Sequence, residues 1–190
     1  MMNCKKCQCA CFTGHRPEKF RFQYNENDDL CKKIKAAIFT LAKKLYIEMD
    51  VNCFWTGGAQ GVDTWAAEAI LDLKQQFPDI ELFVAIPFPE YWSKWEKESI
   101  ERAQSILSRC DGFKIISPEV QPSAGIEIIS SAYKQRNYFM VEQCHFLIAV
   151  FNNAKNKPSR SGTWQTVNYA KKRQLQSFYI HPDTAEATLE

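Results

Sequence analysis

The segment TGGAQGVD at residues 56–63 has the residue types best suited to bind a charged ligand. It follows a short apolar run and precedes an amphipathic stretch, so it predicts a turn between a strand and a helix. Glycine permits positive φ and a close approach of the backbone to a ligand, and a helix N-terminus favours a phosphate. We therefore predict a phosphate-binding turn; the alternative is that glycine serves tight strand–helix packing. The candidate ligand-binding residues are Thr56, Gly57, Gly58, Ala59, Gly61, Val62 and Asp63.

Asp63 falls in the first turn of the predicted helix, where two uses are open. It could stabilise the helix N-terminus, or it could accept hydrogen bonds from a ribose or base. The turn matches neither G-x-G-x-x-G nor G-x-x-x-x-G-K-[ST], so ordinary dinucleotide-binding and P-loop motifs both lose support.

A second candidate segment is TGHRP at residues 13–17, directly after the first predicted strand. Arg16 can form a bidentate contact with phosphate or carboxylate, and His15 can donate hydrogen bonds or shuttle a proton near neutral pH. Because this strand should be central, we expect Gly14, His15 and Arg16 to lie beside the glycine turn and to contact its ligand.

A third candidate segment begins the last predicted helix. Ser161 or Thr163 can cap that helix, and Gly162 lets the backbone approach an anion. With Arg136 and Asn137 on the preceding helix, these residues complete the predicted ligand contacts. Asp63 and Arg136 are also the candidates for any catalytic role.

Two tryptophans, Trp92 and Trp95, are spaced to share one face of a predicted helix. Core packing is the first interpretation, and a wall that stacks on a base is the alternative.

Short apolar runs alternate with amphipathic stretches and so position these segments. Strands are predicted at 8–13, 51–56, 81–86, 113–117, 146–151 and 177–181. Helices are predicted at 28–48, 62–76, 90–109, 130–143 and 162–173. The alternation predicts a Rossmann-like three-layer α/β sandwich, with a mostly parallel sheet of five to six strands and helices on both faces. Residues 11–182 form one domain, 1–10 an extension running into the first strand, and 183–190 a tail.

The composition limits the function classes. The chain has 190 residues, a net charge of +2 and eight cysteines, but no apolar segment long enough to span a bilayer or direct export. We therefore expect a cytoplasmic protein without a membrane partner, and leave a homo-oligomer open. Cys9 and Cys11 alternate on one strand and suit a core. Cys4 and Cys7 lack a second CxxC pair, so no metal is predicted.

In this order, the segments resemble the SLOG superfamily (the SMF/DprA–LOG Rossmann-like group), and within it the YpsA-like family. The matching segments are TGHRP at 13–17, TGGAQGVDTWAAE at 56–68, IPF at 86–88, RNYFMV at 136–141 and SGTW at 161–164. The resemblance implies a nucleotide-derived ligand held between the glycine turn and the G-T turn, with no cofactor required. A sensor of such a ligand, for example an ADP-ribose-like molecule, is the first hypothesis.

Two better-understood branches imply other functions. LOG-type phosphoribohydrolases cleave nucleoside monophosphates with a glutamate after the G-T turn, where this chain has Gln165 and Thr166. Asp63, Glu127 or Glu142 would have to supply the missing charge. DprA binds single-stranded DNA, and this chain would need a positively charged surface at one edge to do the same. The residues available for that edge are Lys155, Lys157, Arg160, Lys171, Lys172 and Arg173. DNA binding ranks third because the net charge is small.

Overall fold

The computed structural model describes residues 8–153 and 161–189, which alternate strand and helix as predicted. The strands are β1 (Gln8–Gly14), β2 (Val51–Thr56), β3 (Glu81–Ile86), β4 (Gly112–Ile115), β5 (Phe146–Val150), β6 (Gln176–Ile180) and β7 (Ala187–Leu189). The α-helices are α1 (Asp29–Met49), α2 (Val62–Gln76), α3 (Lys97–Arg109), α4 (Ile126–Gln143) and α5 (Gly162–Lys172), and a short 3₁₀ helix spans Pro17–Lys19.

The strands form one sheet in the order β4-β3-β2-β1-β5-β6-β7. All neighbours pair in parallel except β6 and β7, which are antiparallel. Strands β2, β3 and β4 are added in turn on one side of β1, and β5 then pairs with the other side of β1. This reversal places the carboxyl end of β1 at the crevice where ligands bind in open α/β sheets. The predicted Rossmann-like fold and the central position of the first strand are confirmed.

Two hydrophobic clusters cover the two faces of the sheet. The larger contains the apolar residues of α1 and α2 and Ala132 of α4, and the smaller contains Met140 and Val141 of α4 with Val167 and Ala170 of α5. All five residues of β5 are buried, as is typical of a parallel strand covered on both faces. On β1, Ala10 and Phe12 belong to the larger cluster, whereas Cys11 belongs to the smaller one with Cys9 packed against it. The prediction that these cysteines serve the core is confirmed.

Several element boundaries differ from the sequence-based prediction. Helix α3 begins at Lys97 rather than at residue 90, because Glu90 adopts a left-handed conformation with φ of 53° that a helix cannot contain. Helix α4 begins one turn earlier than predicted, directly after Gly125. Strand β4 ends at Ile115, two residues early.

The end of the chain also differs from the prediction. Residues 187–189, predicted as part of a tail, pair with β6 and add a seventh strand. A three-residue edge strand that is exposed throughout has no apolar periodicity by which it could be recognised. In the described part of the chain, no helix is long and apolar enough to cross a membrane.

A polar network fixes the loop between the 3₁₀ helix and α1. Glu26 in this loop accepts hydrogen bonds from Lys35 and from the Trp65 indole, and two from Arg102 of α3. Arg102 also donates two hydrogen bonds to Glu68 of α2, at 2.6 and 2.7 Å. The loop that follows the predicted TGHRP segment is therefore tied to three helices.

Candidate functional site

A cavity of about 1480 Å³ opens at the carboxyl edge of the sheet, above β1 and its neighbours. All three predicted segments contribute to its wall. The predicted ligand-binding residues that line it are Gly14, His15, Arg16, Ala59, Asp63, Arg136, Asn137, Ser161, Gly162 and Thr163. Residues distant in sequence thus converge where the topology predicts a ligand site.

The glycine turn lies against the end of β1, as predicted. Gly61 caps α2 with φ of 85°, and the His15 carbonyl accepts a hydrogen bond of 3.5 Å from the Val62 N–H. Gly58 also has a positive φ, of 65°. The N–H of Gln60 donates to no group among the described residues. Helix α2 therefore begins at the cavity with backbone donors near its wall.

Most of the turn glycines lie behind this wall rather than on it. A Cβ added at Gly57 would come within 1.1 Å of Arg136 Nη1, and one added at Gly58 would lie 2.6 Å from the Tyr91 hydroxyl. At Gly61 an added Cβ would lie 2.8 Å from the His15 carbonyl oxygen. Thr56 and Val62 are likewise buried behind the cavity. The glycines give space to neighbouring groups, which was the packing alternative left open by the sequence.

Asp63 has a third use that the sequence did not suggest. Its carboxylate accepts a hydrogen bond of 2.9 Å from Arg136 Nη1 and one of 3.3 Å from the N–H of Ala59. The side chains of Asp63 and Arg136 are only 10% and 5% exposed. Asp63 therefore joins the glycine turn to α4 and positions the arginine.

Arg136 is the one arginine of the cavity wall that is buried within the described chain. Its Nη1 is paired with Asp63, but its buried Nε has no hydrogen-bond partner among the described residues. A buried guanidinium donor without an acceptor carries a large desolvation cost. Other atoms of Arg136 line the cavity, whereas the unpaired Nε itself lies behind its wall.

The TGHRP segment forms the floor and rim of the cavity. Arg16 is exposed, with its guanidinium carbon 5.3 Å from the centre of the Tyr133 ring. Arg136 approaches the same ring at 5.9 Å. Two arginines thus flank one tyrosine, a favourable cation–π arrangement.

His15 lies between the beginnings of α2 and α5. Its Nδ1 is 3.5 Å from the Thr163 hydroxyl, and its ring contacts Phe20 and Phe151. Burial lowers the pKa of His15, Lys19 lowers that pKa further, and Asp183 opposes them. The imidazole is therefore mainly neutral at pH 7.

The start of α5 closes the opposite side. Ser161 caps the helix by accepting a hydrogen bond of 3.2 Å from the Trp164 N–H, which confirms one of the two predicted caps. A Cβ added at Gly162 would lie 3.7 Å from Asn137 Nδ2. Gln165 lines the cavity, whereas the Thr166 hydroxyl donates to the Gly162 carbonyl.

The cavity also contains residues that the sequence analysis missed. They are Glu18, Lys19, Gln60, Ile126, Ile129, Ser130, Tyr133, Lys134, Phe151, Asn152, Pro182 and Asp183. Phe151, Asn152 and Asp183 follow the ends of β5 and β6, so the rule that ligands lie at the carboxyl ends of strands could have found them. On α4, Ile126 and Ile129 lie before the predicted start of the helix, and Ser130, Tyr133 and Lys134 give no local signal of a ligand site.

Two sets of residues lie away from the cavity. Glu127 and Glu142 do not line it, and Glu142 accepts a hydrogen bond from the Tyr169 hydroxyl, so neither replaces the missing glutamate.

Trp92 and Trp95 lie in a turn rather than on a helix. They pack against Tyr91 and the larger hydrophobic cluster, so core packing describes them and a stacking wall does not.

The residues proposed for a basic edge are divided. Lys155, Lys157 and Arg160 lie outside the described residues, as do Cys4 and Cys7. Lys172 and Arg173 border a separate, smaller depression with Glu142 and Leu175. Single-strand nucleic-acid binding stays a prediction without a structural observation in its favour. Residues 8–153 and 161–189 contain no group of three or more metal-ligating side chains that could hold a metal ion.

Comparisons with known proteins agree with this geometry. The model of the YspA SLOG family, YpsA, matches residues 10–185. The chain is 25% identical to the UPF0398 protein YpsA of Bacillus subtilis over 185 residues, which cover 94% of each chain. It is 30% identical to the SPbeta prophage-derived protein YoqJ of the same organism over 162 residues, covering 80% of this chain and 89% of YoqJ. A UPF0398 protein of Bacillus cereus is 28% identical over 145 residues, covering 75% of this chain and 73% of that protein.

Proposed function

The chain belongs to the YpsA SLOG family, and from that premise we propose that it binds a nucleotide-derived phosphate ligand as a sensor or regulatory module. The ligand occupies the cavity at the carboxyl edge of the sheet. Its phosphate lies at the beginning of α2, against Arg136 and within reach of Arg16.

The observation that carries this proposal is the position of Arg136, a buried arginine that lines the cavity and is held by Asp63. Its side chain is buried, Asp63 holds its Nη1, and its Nε has no acceptor among the described residues. An arginine fixed by one carboxylate is preorganised to donate to a second anion. The nearby start of α2 adds backbone donors and a favourable dipole, and both favour phosphate over a neutral group.

The remaining walls suit the other parts of a nucleotide. Tyr133, Phe151, Ile126 and Ile129 supply aromatic and apolar surface for a base. Asn137 and Asn152 supply polar contacts for sugar hydroxyls. The volume of about 1480 Å³ exceeds the several hundred Å³ typical of small-ligand pockets, which favours a molecule larger than a mononucleotide.

Binding is better supported than catalysis because of what the carboxylates do. Asp63 is occupied by Arg136 and by the Ala59 N–H, and a neutral Gln165 follows the G-T turn. An oxocarbenium-like transition state needs a carboxylate near the sugar. The residues that the sequence offered for that role do not supply one.

Calorimetric titration of the purified chain with AMP, ADP, ADP-ribose and adenosine tests the proposal. We expect phosphate-bearing ligands to bind and adenosine to bind far more weakly. Arg136→Lys keeps the positive charge beside Asp63 but removes Nε and the planar fork, so affinity for the tightest ligand should fall about tenfold or more. Ligand-induced rises in melting temperature should follow the same order.

Arg102→Lys is the matched control, because it makes the same substitution in an arginine–carboxylate cluster that lies outside the cavity and is about one-third exposed. It should leave the affinity unchanged. The proposal fails if no phosphate-bearing compound produces heat or a thermal shift, or if Arg136→Lys and Arg102→Lys bind equally well.

Hydrolysis of an N-glycosidic bond is a second candidate, favoured by two carboxylates that the sequence analysis did not consider. Glu18 and Asp183 both line the cavity; Glu18 belongs to the same segment as His15, and Asp183 follows β6, on the opposite side of β1 from Asp63 in the sheet order. Either could stabilise a cationic sugar if the ligand places its ribose there. Incubation with nucleoside monophosphates and chromatography for free base decides the matter. Base released by the wild type and not by Glu18→Gln or Asp183→Asn would establish it, and absence of base at high protein concentration would exclude it.

A further inference from the structure

His15 is unusual among the cavity residues because it lies against the beginnings of two of the helices that start there, α2 and α5. Its carbonyl accepts the Val62 N–H of α2, and its Nδ1 lies 3.5 Å from the Thr163 hydroxyl of α5. Both helix N-termini carry a partial positive charge. The ring is half-buried between Phe20 and Phe151, so water screens it only in part.

The charged groups that share the cavity with His15 are mostly cationic on the side where the phosphate is proposed. Its own segment contributes Arg16, Glu18 and Lys19, α2 contributes Asp63, α4 contributes Lys134 and Arg136, and the segment after β6 contributes Asp183. Asp63 and Arg136 neutralise each other. Burial is the main cause that lowers the pKa of His15, Lys19 lowers that pKa further, and Asp183 opposes them.

A bound anion reverses this balance. It brings one or more negative charges into a partly water-excluded cavity whose wall includes His15, and an opposite charge nearby favours the imidazolium. By linkage, a ligand that raises the pKa of a group must bind more tightly when that group is protonated.

We infer that His15 is a specificity-determining residue that takes up one proton when the phosphate ligand binds. This inference rests on the proposed function. Protonation adds a positive charge beside the ligand, so the preference for anionic nucleotides over neutral nucleosides increases as the pH falls. A pyrophosphate diester suits this site as well as a terminal phosphate does. The negative charge of the ligand is what favours the imidazolium, whether or not the ligand itself can bind a proton.

The experiment measures ADP-ribose binding by calorimetry between about pH 5.5 and pH 8, the range in which histidine titrates. ADP-ribose serves as the probe because its bridging phosphates do not titrate in this range, unlike a terminal phosphate with a pKa of about 6. We expect the dissociation constant to increase as the pH rises from about 5.5 to 8, because His15 then loses the proton that favours the bound anion. If the complex binds that proton about tenfold more tightly than the free protein does, the dissociation constant increases about tenfold over the full titration. Titrations in buffers of different ionisation enthalpy should report up to one proton taken up per ligand.

His15→Gln keeps a polar side chain that can reach Thr163 but cannot be charged, so its affinity should be independent of pH and its proton uptake absent. His145→Gln is the matched control, because His145 is exposed and does not line the cavity. It should behave as wild type. Binding of ADP-ribose with no proton uptake, or with uptake that survives in His15→Gln, overturns the inference and leaves the proposed function standing. Absence of ADP-ribose binding at every pH overturns the inference, and the proposed function fails with it only if AMP and ADP do not bind either.

Discussion

Two arginine–carboxylate clusters of this molecule differ in how completely they are satisfied. Arg102 uses its Nε and both terminal nitrogens, all paired with Glu26 and Glu68. Arg136 pairs Nη1 with Asp63 and leaves its buried Nε without an acceptor among the described residues. The satisfied cluster is the more exposed of the two, with about a third of the Arg102 side chain accessible, against 5% for Arg136.

Physical chemistry predicts the opposite arrangement if both clusters were only structural. An unmet donor costs most where water cannot reach it, so a stabilising cluster should be most complete where it is most buried. The deeper cluster is the incomplete one, and it lies at the cavity wall. The comparison teaches that Arg102 holds helices together, whereas the proposed function gives Arg136 a second use, as a contact for the ligand.

Removing the buried arginine should have the largest effect on stability. Arg136→Met leaves the Asp63 carboxylate buried and unpaired, and we expect a loss of about 3–5 kcal/mol in the free energy of unfolding. Adding Asp63→Asn should restore part of that loss, because the uncompensated charge is gone. Urea denaturation of the single and double variants measures both. Equal stability of the two variants would mean that the pair is not coupled.

Displacing the guanidinium without changing its charge gives the next largest effect. Gly57→Ala places a Cβ 1.1 Å from Arg136 Nη1, so the arginine must move, at a cost of about 1–3 kcal/mol. Ligand affinity should fall with it. Gly125→Ala is the matched control, since an added Cβ there meets nothing within 4 Å. If Gly57→Ala binds ligand as the control does, the position of the guanidinium is unimportant and the comparison loses its functional meaning.

The half-exposed cluster should give a smaller effect of a different kind. Arg102→Met removes contacts to two carboxylates that water can partly replace, so we expect a loss of about 1–2 kcal/mol. Ligand affinity measured by calorimetry should stay at the wild-type value. If Arg102→Met lost as much affinity as Arg136→Lys, the Arg102 cluster would contribute to ligand binding as well as to stability, and the comparison would fail.

The fold and most of the segments that line the cavity could be predicted from the sequence, but the contact between Asp63 and Arg136 could not. The strand–helix alternation gave the parallel sheet, and the rule for strand ends placed the segments at 13–17 and 161–163 in one cavity, as the structure confirms. The pairing of Asp63 with Arg136 joins residues 73 positions apart on different elements. No periodicity reports such a contact, since it depends on how α4 docks on the sheet.

The misplaced boundaries have the same origin. The spacing of Trp92 and Trp95 fits one face of a helix and predicts that α3 begins at residue 90, whereas both residues lie in a turn and pack on Tyr91. Because glycine suits a phosphate cradle, the sequence favours a ligand role for the turn glycines over the packing alternative. Gly57 and Gly58 instead make room for Arg136 and Tyr91, and that reason is visible only when the neighbours are known.

The smallest expected effect is the pH dependence of the stability that the Glu26–Arg102 cluster contributes. This effect should be independent of ligand binding in the cavity. Hydrogen bonds from Arg102, Lys35 and Trp65 outweigh burial and lower the pKa of Glu26 to about 2. A carboxyl group whose pKa is lower in the folded state stabilises the fold above its unfolded pKa of about 4.3, and this contribution is lost as the pH falls towards 2. The urea midpoint of the wild type should therefore fall below about pH 4. In Glu26→Gln, which has nothing to titrate there, the fall should be shallower and ligand affinity at neutral pH unchanged. Parallel pH profiles for the two proteins would show that the Glu26 cluster does not contribute to acid sensitivity.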